Sequence, residues 1–265
     1  MASALNTHVV EGGDERIVFL HGLMGQGRNF RTVAGDLQDY ASSLLVDLPN
    51  HGASEHTEEF DYREMARAVE ATVRETWPEG AVNVVGHSMG GKVAMAVALL
   101  FPEMVDRLVV VDISPVNSEN ASEFSHLLGS LQALELDSME RRQEVDEALA
   151  EQVPDYTTRA FLLQNLTRTE GDRWSWKANL PMLLENLPVV MGFPEELRER
   201  QFDGPVLWIA GGDSDYVQEE YRPAMEELFP KVRLVTVKGA GHWVHSEKPE
   251  VFHQTLRNFL LETLT

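Results

Sequence analysis

Three glycine-bearing motifs hold residues that could carry out acyl transfer. In Gly86-His87-Ser88-Met89-Gly90 a serine stands between glycines, after the apolar run 82–85 and before a helical stretch. Gly-x-Ser-x-Gly at a strand-to-helix junction is a nucleophile elbow, a turn so tight that the serine is strained and its Oγ stands above the sheet. The flanking glycines remove side chains that would collide, and the next N–H, that of Met89, points at the oxyanion that develops during attack. His21-Gly22-Leu23-Met24-Gly25, after an earlier apolar run, is placed to supply a second donor, the Leu23 N–H. Losing one such donor typically costs ~10²–10³ in rate. Gly239-Ala240-Gly241-His242-Trp243-Val244-His245 supplies an imidazole. With an ordinary pKa of ~6.5, histidine can take the serine proton near neutrality and return it to a leaving group. His242 lies on the glycine-rich loop, whereas His245 is closer to the next helix, so His242 is the expected base. A carboxylate must fix its tautomer. Asp213, in Gly211-Gly212-Asp213-Ser214-Asp215, and Asp112, in Val111-Asp112-Ile113-Ser114-Pro115, both end strands, and periodicity leaves both open.

Other chemistries fit these residues poorly. Gly86 to Gly91-Lys92 resembles a phosphate-cradling loop, but Val93 stands where a Ser or Thr hydroxyl must hold Mg²⁺. The chain has no cysteine, which excludes disulfides, thiolate metal sites and a Cys nucleophile. Neither His-Glu-x-x-His nor a dense His/Asp cluster occurs, so no metal and no organic cofactor is expected.

The elements that must position these residues alternate along the chain. Apolar runs at 16–20, 43–47, 82–85, 107–112, 205–210 and 232–237 read as strands buried on both faces. Helical patterns at 62–77, 92–100, 218–229 and 249–261 fall between them. Such alternation predicts an α/β fold with a doubly wound, mostly parallel sheet. Residues 116–200 break the rhythm: no strand stands out, and the stretch is helical, charged and studded with Trp174, Trp176, Met182 and Met191. An excursion this long between core strands reads as a functional insertion. It is expected to be a helical cap over the carboxyl ends of the strands, dividing the core into 1–115 and 201–265.

Composition narrows the partners. The 265 residues include 43 acidic and 22 basic side chains, for a net charge of -21, which disfavours nucleic acid and anionic membranes. The longest apolar run, 93–101, is far below the ~20 residues a membrane span needs. Residues 1–10 contain no Lys or Arg and no long apolar stretch, so no signal peptide is expected and the cytoplasm is the expected compartment.

Taken together the motifs resemble the YbfF-type esterases of bacteria, a branch of the α/β-hydrolase fold, over residues 9–260. The marks are the three motifs above with Gly91-Lys92 following the elbow, Asp47-Leu48-Pro49-Asn50-His51-Gly52-Ala53-Ser54, Asp112-Ile113-Ser114-Pro115, the stretch Ser214-Asp215-Tyr216-Val217, and His245-Ser246-Glu247-Lys248-Pro249. The resemblance implies a serine esterase acting on short- to medium-chain carboxylic esters through an acyl-enzyme, with acyl-CoA thioesters as the alternative. It also implies that the acid follows the strand after the elbow, at Asp112. The branch often has Asn at the position of Asp213, so the Asp here departs from its pattern. Leu127, Leu131, Phe161, Trp174, Trp176 and Met182 are expected to line the acyl pocket, while Asn50 and His51 shape a nearby loop. The same cap and triad also serve carbon–carbon bond hydrolases and perhydrolases, and the fold can serve as a catalytically idle binding module. A small-molecule ester is the expected partner; the oligomeric state is left open.

Overall fold

The apolar runs become the strands of one sheet in the computed structural model, which describes residues 5–118 and 121–261. They are β1 (Thr7–Leu20), β2 (Ala41–Val46), β3 (Val82–His87), β4 (Val105–Val111), β7 (Val206–Gly211) and β8 (Val232–Val237). Their spatial order is β2-β1-β3-β4-β7-β8, and neighbours pair in parallel apart from residues 7–10 of β1, which run antiparallel to β2. β1 is longer than expected because residues 7–10 pair with 46–43, the register then breaks, and residues 16–20 pair with 42–46.

Alternation along the strands divides the core between the two faces. Val18 and Leu20 face the apolar stripes of α2 (Tyr62–Thr76) and α3 (Met89–Leu100). Ile17 and Phe19 face α1 (Arg31–Asp36) and, further on, Phe252, Leu256 and Phe259 of the last helix. α2 starts where the Asp61 side chain accepts the Arg63 N–H, and Pro78 follows its end. α3 is buried from Met89 through Leu99, as a helix apolar nearly all round must be.

Between β4 and β7 the chain makes a long helical excursion. It contains α4 (Ser122–Gln132), α5 (Arg142–Leu149), α6 (Tyr156–Leu162), α7 (Leu180–Glu185) and α8 (Leu187–Met191). It also contains an antiparallel hairpin, β5 (Leu166–Arg168) with β6 (Trp174–Trp176), where the sequence pattern shows no strand. Three-residue strands are too short to leave a periodic signature. The two roots of the excursion are tied together: Ser118 N–H donates to Met191 O at 3.0 Å and Phe193 N–H to Asn117 Oδ1 at 2.8 Å. Lys92, buried on α3, donates to Met191 O at 2.8 Å and Gly192 O at 2.7 Å, binding those roots to the core. After β7, residues 219–221 form a 3₁₀ turn and α9 (Arg222–Leu228) begins only at the Arg222-Pro223 step, so the expected 218–229 helix is shorter. α10 (Val244–Glu247) and α11 (Pro249–Leu261) close the chain.

Candidate active site

Ser88 sits between β3 and α3 with φ 52° and ψ -121°. That backbone is strained for any residue with a Cβ, and the glycines around it make it attainable. A Cβ on Gly86 would lie 2.2 Å from Gly90 O, and one on Gly90 would lie 2.3 Å from Leu20 O. Ser88 N–H donates to Val111 O at 3.0 Å, and Ser88 O accepts from Gly91 N–H and Lys92 N–H. The hydroxyl is thereby held at the carboxyl end of the sheet.

His242, from the loop after β8, brings Nε2 to 2.9 Å from Ser88 Oγ. Its Nδ1 lies 2.7 Å from Asp112 Oδ2. An ionised carboxylate only accepts, so Nδ1 carries the hydrogen and Nε2 presents a lone pair to the serine. Asp112 is fully buried just past β4, in the left-handed region at φ 51°. Its other donors are Gly211 N–H at 2.8 Å and Ser214 Oγ at 2.5 Å. The Asp112 loop is held in turn by Trp208 Nε1, which donates to Ile113 O at 2.7 Å, and by Ser114 Oγ, which donates to Tyr216 O at 2.8 Å.

Asp213 stands apart from this chain of bonds. It is exposed, and its main-chain N–H donates to Ala240 O. The carboxylate bonded to His242 is therefore Asp112.

Other imidazoles lie close to His242. His87 Nε2 donates to His242 O at 2.9 Å. Burial holds the His87 pKa well below its ordinary value, and the neighbouring His245 and His242 lower it further. Burial lowers His245 to about 4 and His51 to about 3, and lowers His21 as well. These rings stay neutral near pH 7, so no fixed cation among them opposes a positive charge forming on His242. Glu247 spans the residues on either side of His242, accepting Gly241 N–H at 2.8 Å and Trp243 N–H at 3.2 Å. The Tyr216 ring packs 4.2 Å from the His242 ring, and burial raises the Tyr216 hydroxyl to about 12.

The hydroxyl opens into a cavity of about 30 Å³ walled by Gly22, Leu23, Phe124, Leu127, Leu128 and Phe161, among others. Met89 is the first residue of α3, so its N–H has no carbonyl within the helix to meet. Of the side chains expected to line the acyl pocket, Leu127 and Phe161 are among the walls of this cavity. Trp174 and Trp176 instead face a separate groove of about 860 Å³ beside residues 132–138. Alternation on β6 puts both indoles on one face, and Arg168 stacks 3.9 Å from the Trp174 ring centre. Met182 and Leu131 are buried in the core of the excursion. Asn50 is likewise structural: its carbonyl accepts Asn179 N–H at 3.0 Å and its Oδ1 accepts Thr57 N–H at 2.8 Å.

Ser214, Trp208, His87 and Glu247 carry the site without having been singled out for these tasks in the sequence. Ser214 and Glu247 lie inside motifs that mark the resemblance, but nothing local shows what they bond to. Among the described residues, no group of three or more His, Cys, Asp or Glu side chains is arranged to hold a metal ion, and no helix is long and apolar enough to cross a membrane.

Comparison with known proteins bears on the fold and the class of reaction. A family model described as alpha/beta hydrolase fold matches residues 15–249. The sn-1-specific diacylglycerol lipase ABHD11 of Mus musculus is 38% identical over 250 residues, covering 92% of this chain and 80% of that protein. Esterase YbfF of Escherichia coli (strain K12) is 32% identical over 244 residues, covering 92% of each. A solved structure titled marine microorganism esterase superimposes with a TM-score of 0.93 at 32% identity, covering 97% of this chain and 99% of that one.

Proposed function

The chain belongs to the alpha/beta hydrolase fold family and is a carboxylic ester hydrolase, and on that premise we propose that it works through Ser88, His242 and Asp112 as a catalytic triad. The observation that carries this reading is the unbroken relay from Ser88 Oγ to His242 Nε2 at 2.9 Å and from His242 Nδ1 to Asp112 at 2.7 Å. His242 Nε2 accepts the serine proton as Oγ attacks the ester carbonyl. Asp112 holds the ring in the reactive tautomer and stabilises the imidazolium. The N–H groups of Leu23 and Met89 receive the tetrahedral oxyanion. The C–O bond to the alcohol breaks as His242 gives its proton to the leaving oxygen. Water, deprotonated by the same ring, then releases the acid from Ser88.

The excursion between β4 and β7 acts in this reading as the cap, supplying Phe124, Leu127, Leu128 and Leu162 to the wall above the serine. Short- to medium-chain acyl groups fit best, because the cavity around Ser88 is small and its wall on that side is apolar. Replacing Ser88 by Ala tests the core of the proposal. Hydrolysis of p-nitrophenyl butyrate should be lost with the melting temperature unchanged, and retained turnover would remove Ser88 as nucleophile. A wild-type kcat/KM profile that peaks in acid would remove His242 as base.

A further inference from the structure

We propose that an open cavity beside the His242 loop is a leaving-group subsite that takes uncharged, hydroxyl-bearing alcohols and turns away anionic ones. The inference rests on the ester-hydrolase mechanism above and names the kind of ester that it serves. The cavity at Ser88, about 30 Å³, is the tighter of the two spaces beside the His242 loop. An ester has two arms, and both cannot lie there. A second cavity of about 700 Å³ adjoins it, sharing Asn29, Thr158, Phe161, Trp243 and His245 as walls. The rings of Phe161 and Trp243, 5.9 Å apart and inclined at 55°, form part of the partition.

The direction of proton transfer decides which arm goes where. His242 Nε2 must deliver its proton to the leaving oxygen, so the alcohol begins at His242 and continues along its loop. Trp243, His245, Ser246 and Glu247 of that loop wall the second cavity. Phe124, Leu127, Leu128 and Leu162 wall only the first, which leaves the apolar side for the acyl arm.

The walls also set the chemistry of the alcohol. Thr32 and Thr157 offer hydroxyls, and the amides of Asn29 and Gln164, bonded to each other at 2.7 Å, each keep an N–H to donate. The fixed charges are the carboxylates of Asp155 and Glu247, and neither Lys nor Arg is among the lining residues. Asp155 is tied by Thr158 N–H at 2.7 Å and Glu247 by Gly241 and Trp243 N–H, so both carboxylates are held in place. His253 at the edge is already paired with Asp36 at 2.6 Å. In a chain of net charge -21, a phosphate-bearing alcohol or coenzyme A meets repulsion without a cationic clamp, whereas a polyol gains hydrogen bonds.

The test holds the acyl group as butyryl and varies the leaving group among glycerol, glycerol 3-phosphate and coenzyme A. Wild-type kcat/KM for glycerol butyrate should exceed both anionic substrates by at least tenfold. Thr157→Trp and Ala160→Trp, which fill the cavity from α6, should each lower the ratio of glycerol butyrate to p-nitrophenyl acetate turnover at least tenfold. Thr157→Arg should raise the phosphate ester relative to the glycerol ester. Equal wild-type turnover of butyryl-CoA and glycerol butyrate overturns the subsite, as does an unmoved ratio in whichever Trp variant folds. Those results leave Ser88-dependent hydrolysis of p-nitrophenyl acetate intact, whereas its survival in Ser88→Ala overturns the mechanism itself.

Discussion

Replacing Asp112 by Asn is the sharpest perturbation of the proposed triad, because the bonds around it dictate how the amide must turn. The carboxylate receives three donors: His242 Nδ1 and Ser214 Oγ at Oδ2, and Gly211 N–H at Oδ1. An amide has one oxygen and one NH₂, so it cannot accept on both sides. If the NH₂ faced Gly211, two donors would meet in a fully buried place, at a cost of about 1–3 kcal/mol, and a backbone N–H cannot reorient. Turning the NH₂ toward His242 avoids this, since the ring can shift its hydrogen to Nε2 and the Ser214 hydroxyl can rotate to accept. The variant therefore folds with the wrong tautomer, and Nε2 donates toward Ser88 instead of accepting. The loss of kcat should be about 10⁴-fold, the size seen when the same change is made in serine-protease triads. That is about 5.5 kcal/mol of transition-state stabilisation. Asp213→Asn, on an exposed side chain, should change kcat by less than about twofold. Steady-state hydrolysis of p-nitrophenyl butyrate, with melting temperatures as the folding control, measures both. A folded Asp112→Asn enzyme that keeps more than a tenth of wild-type kcat, or an equal loss in Asp213→Asn, refutes the reasoning.

Two further perturbations probe what holds the site in place. Glu247→Ala frees the N–H groups on both sides of His242 and should lower kcat roughly tenfold with little change in KM. Glu247→Gln should recover part of that loss, since an amide oxygen still accepts one N–H, and equal kcat in all three proteins removes the clamp. Burial lowers the Lys92 pKa to about 7, whereas an unfolded lysine titrates near ~10.4. Between those values the unfolded chain binds a proton that the folded one lacks, so this group makes stability rise with pH from about 7 upward, by at most ~1.4 kcal/mol per pH unit. Lys92→Met should flatten the rise in denaturation midpoint from pH 7 to pH 9, and identical slopes in wild type and variant would contradict this.

The sequence marks the strands, the elbow and the terminal histidine because each has a local cause. Apolar runs must be buried, Ser88 needs glycines two positions either side, and His242 sits on a glycine-rich loop. The acid is harder to read. Asp112 and Asp213 both follow strands, and what separates them is backbone direction: Asp112 turns under His242 at φ 51°, which no residue spacing encodes. Resemblance to a family favours Asp112 where periodicity is silent. The indoles of Trp174 and Trp176 show the opposite failure, since aromatic residues in an insertion suggest a pocket while three-residue pairing with β5 aims them at a different groove. Ser214 and Glu247 act through partners 102 and 6 residues away, respectively, and their types alone do not announce those bonds.

The division of the chain explains how one protein can keep its chemistry while its walls vary. Ser88 and Asp112 come from residues before the excursion, and Ser214 and His242 from residues after it, yet β4 and β7 are neighbours in the sheet. Gly211 N–H bonding to Asp112 joins the two strand ends directly. The relay therefore needs no side chain from the intervening segment. That segment instead meets the core through Lys92 and Tyr62, whose Nζ and OH donate to the carbonyls of residues 190–192, and through Asn165 Nδ2, which donates to Met24 O at 2.7 Å. The last of these bonds runs to the loop proposed to hold the oxyanion, and Gln26 Nε2, which donates to Gln164 O at 3.0 Å, ties that stretch to the same segment. Changes in α4 or α6 that leave Asn165 in place should alter which ester is accepted, while changes that displace it should also weaken the hold on the oxyanion.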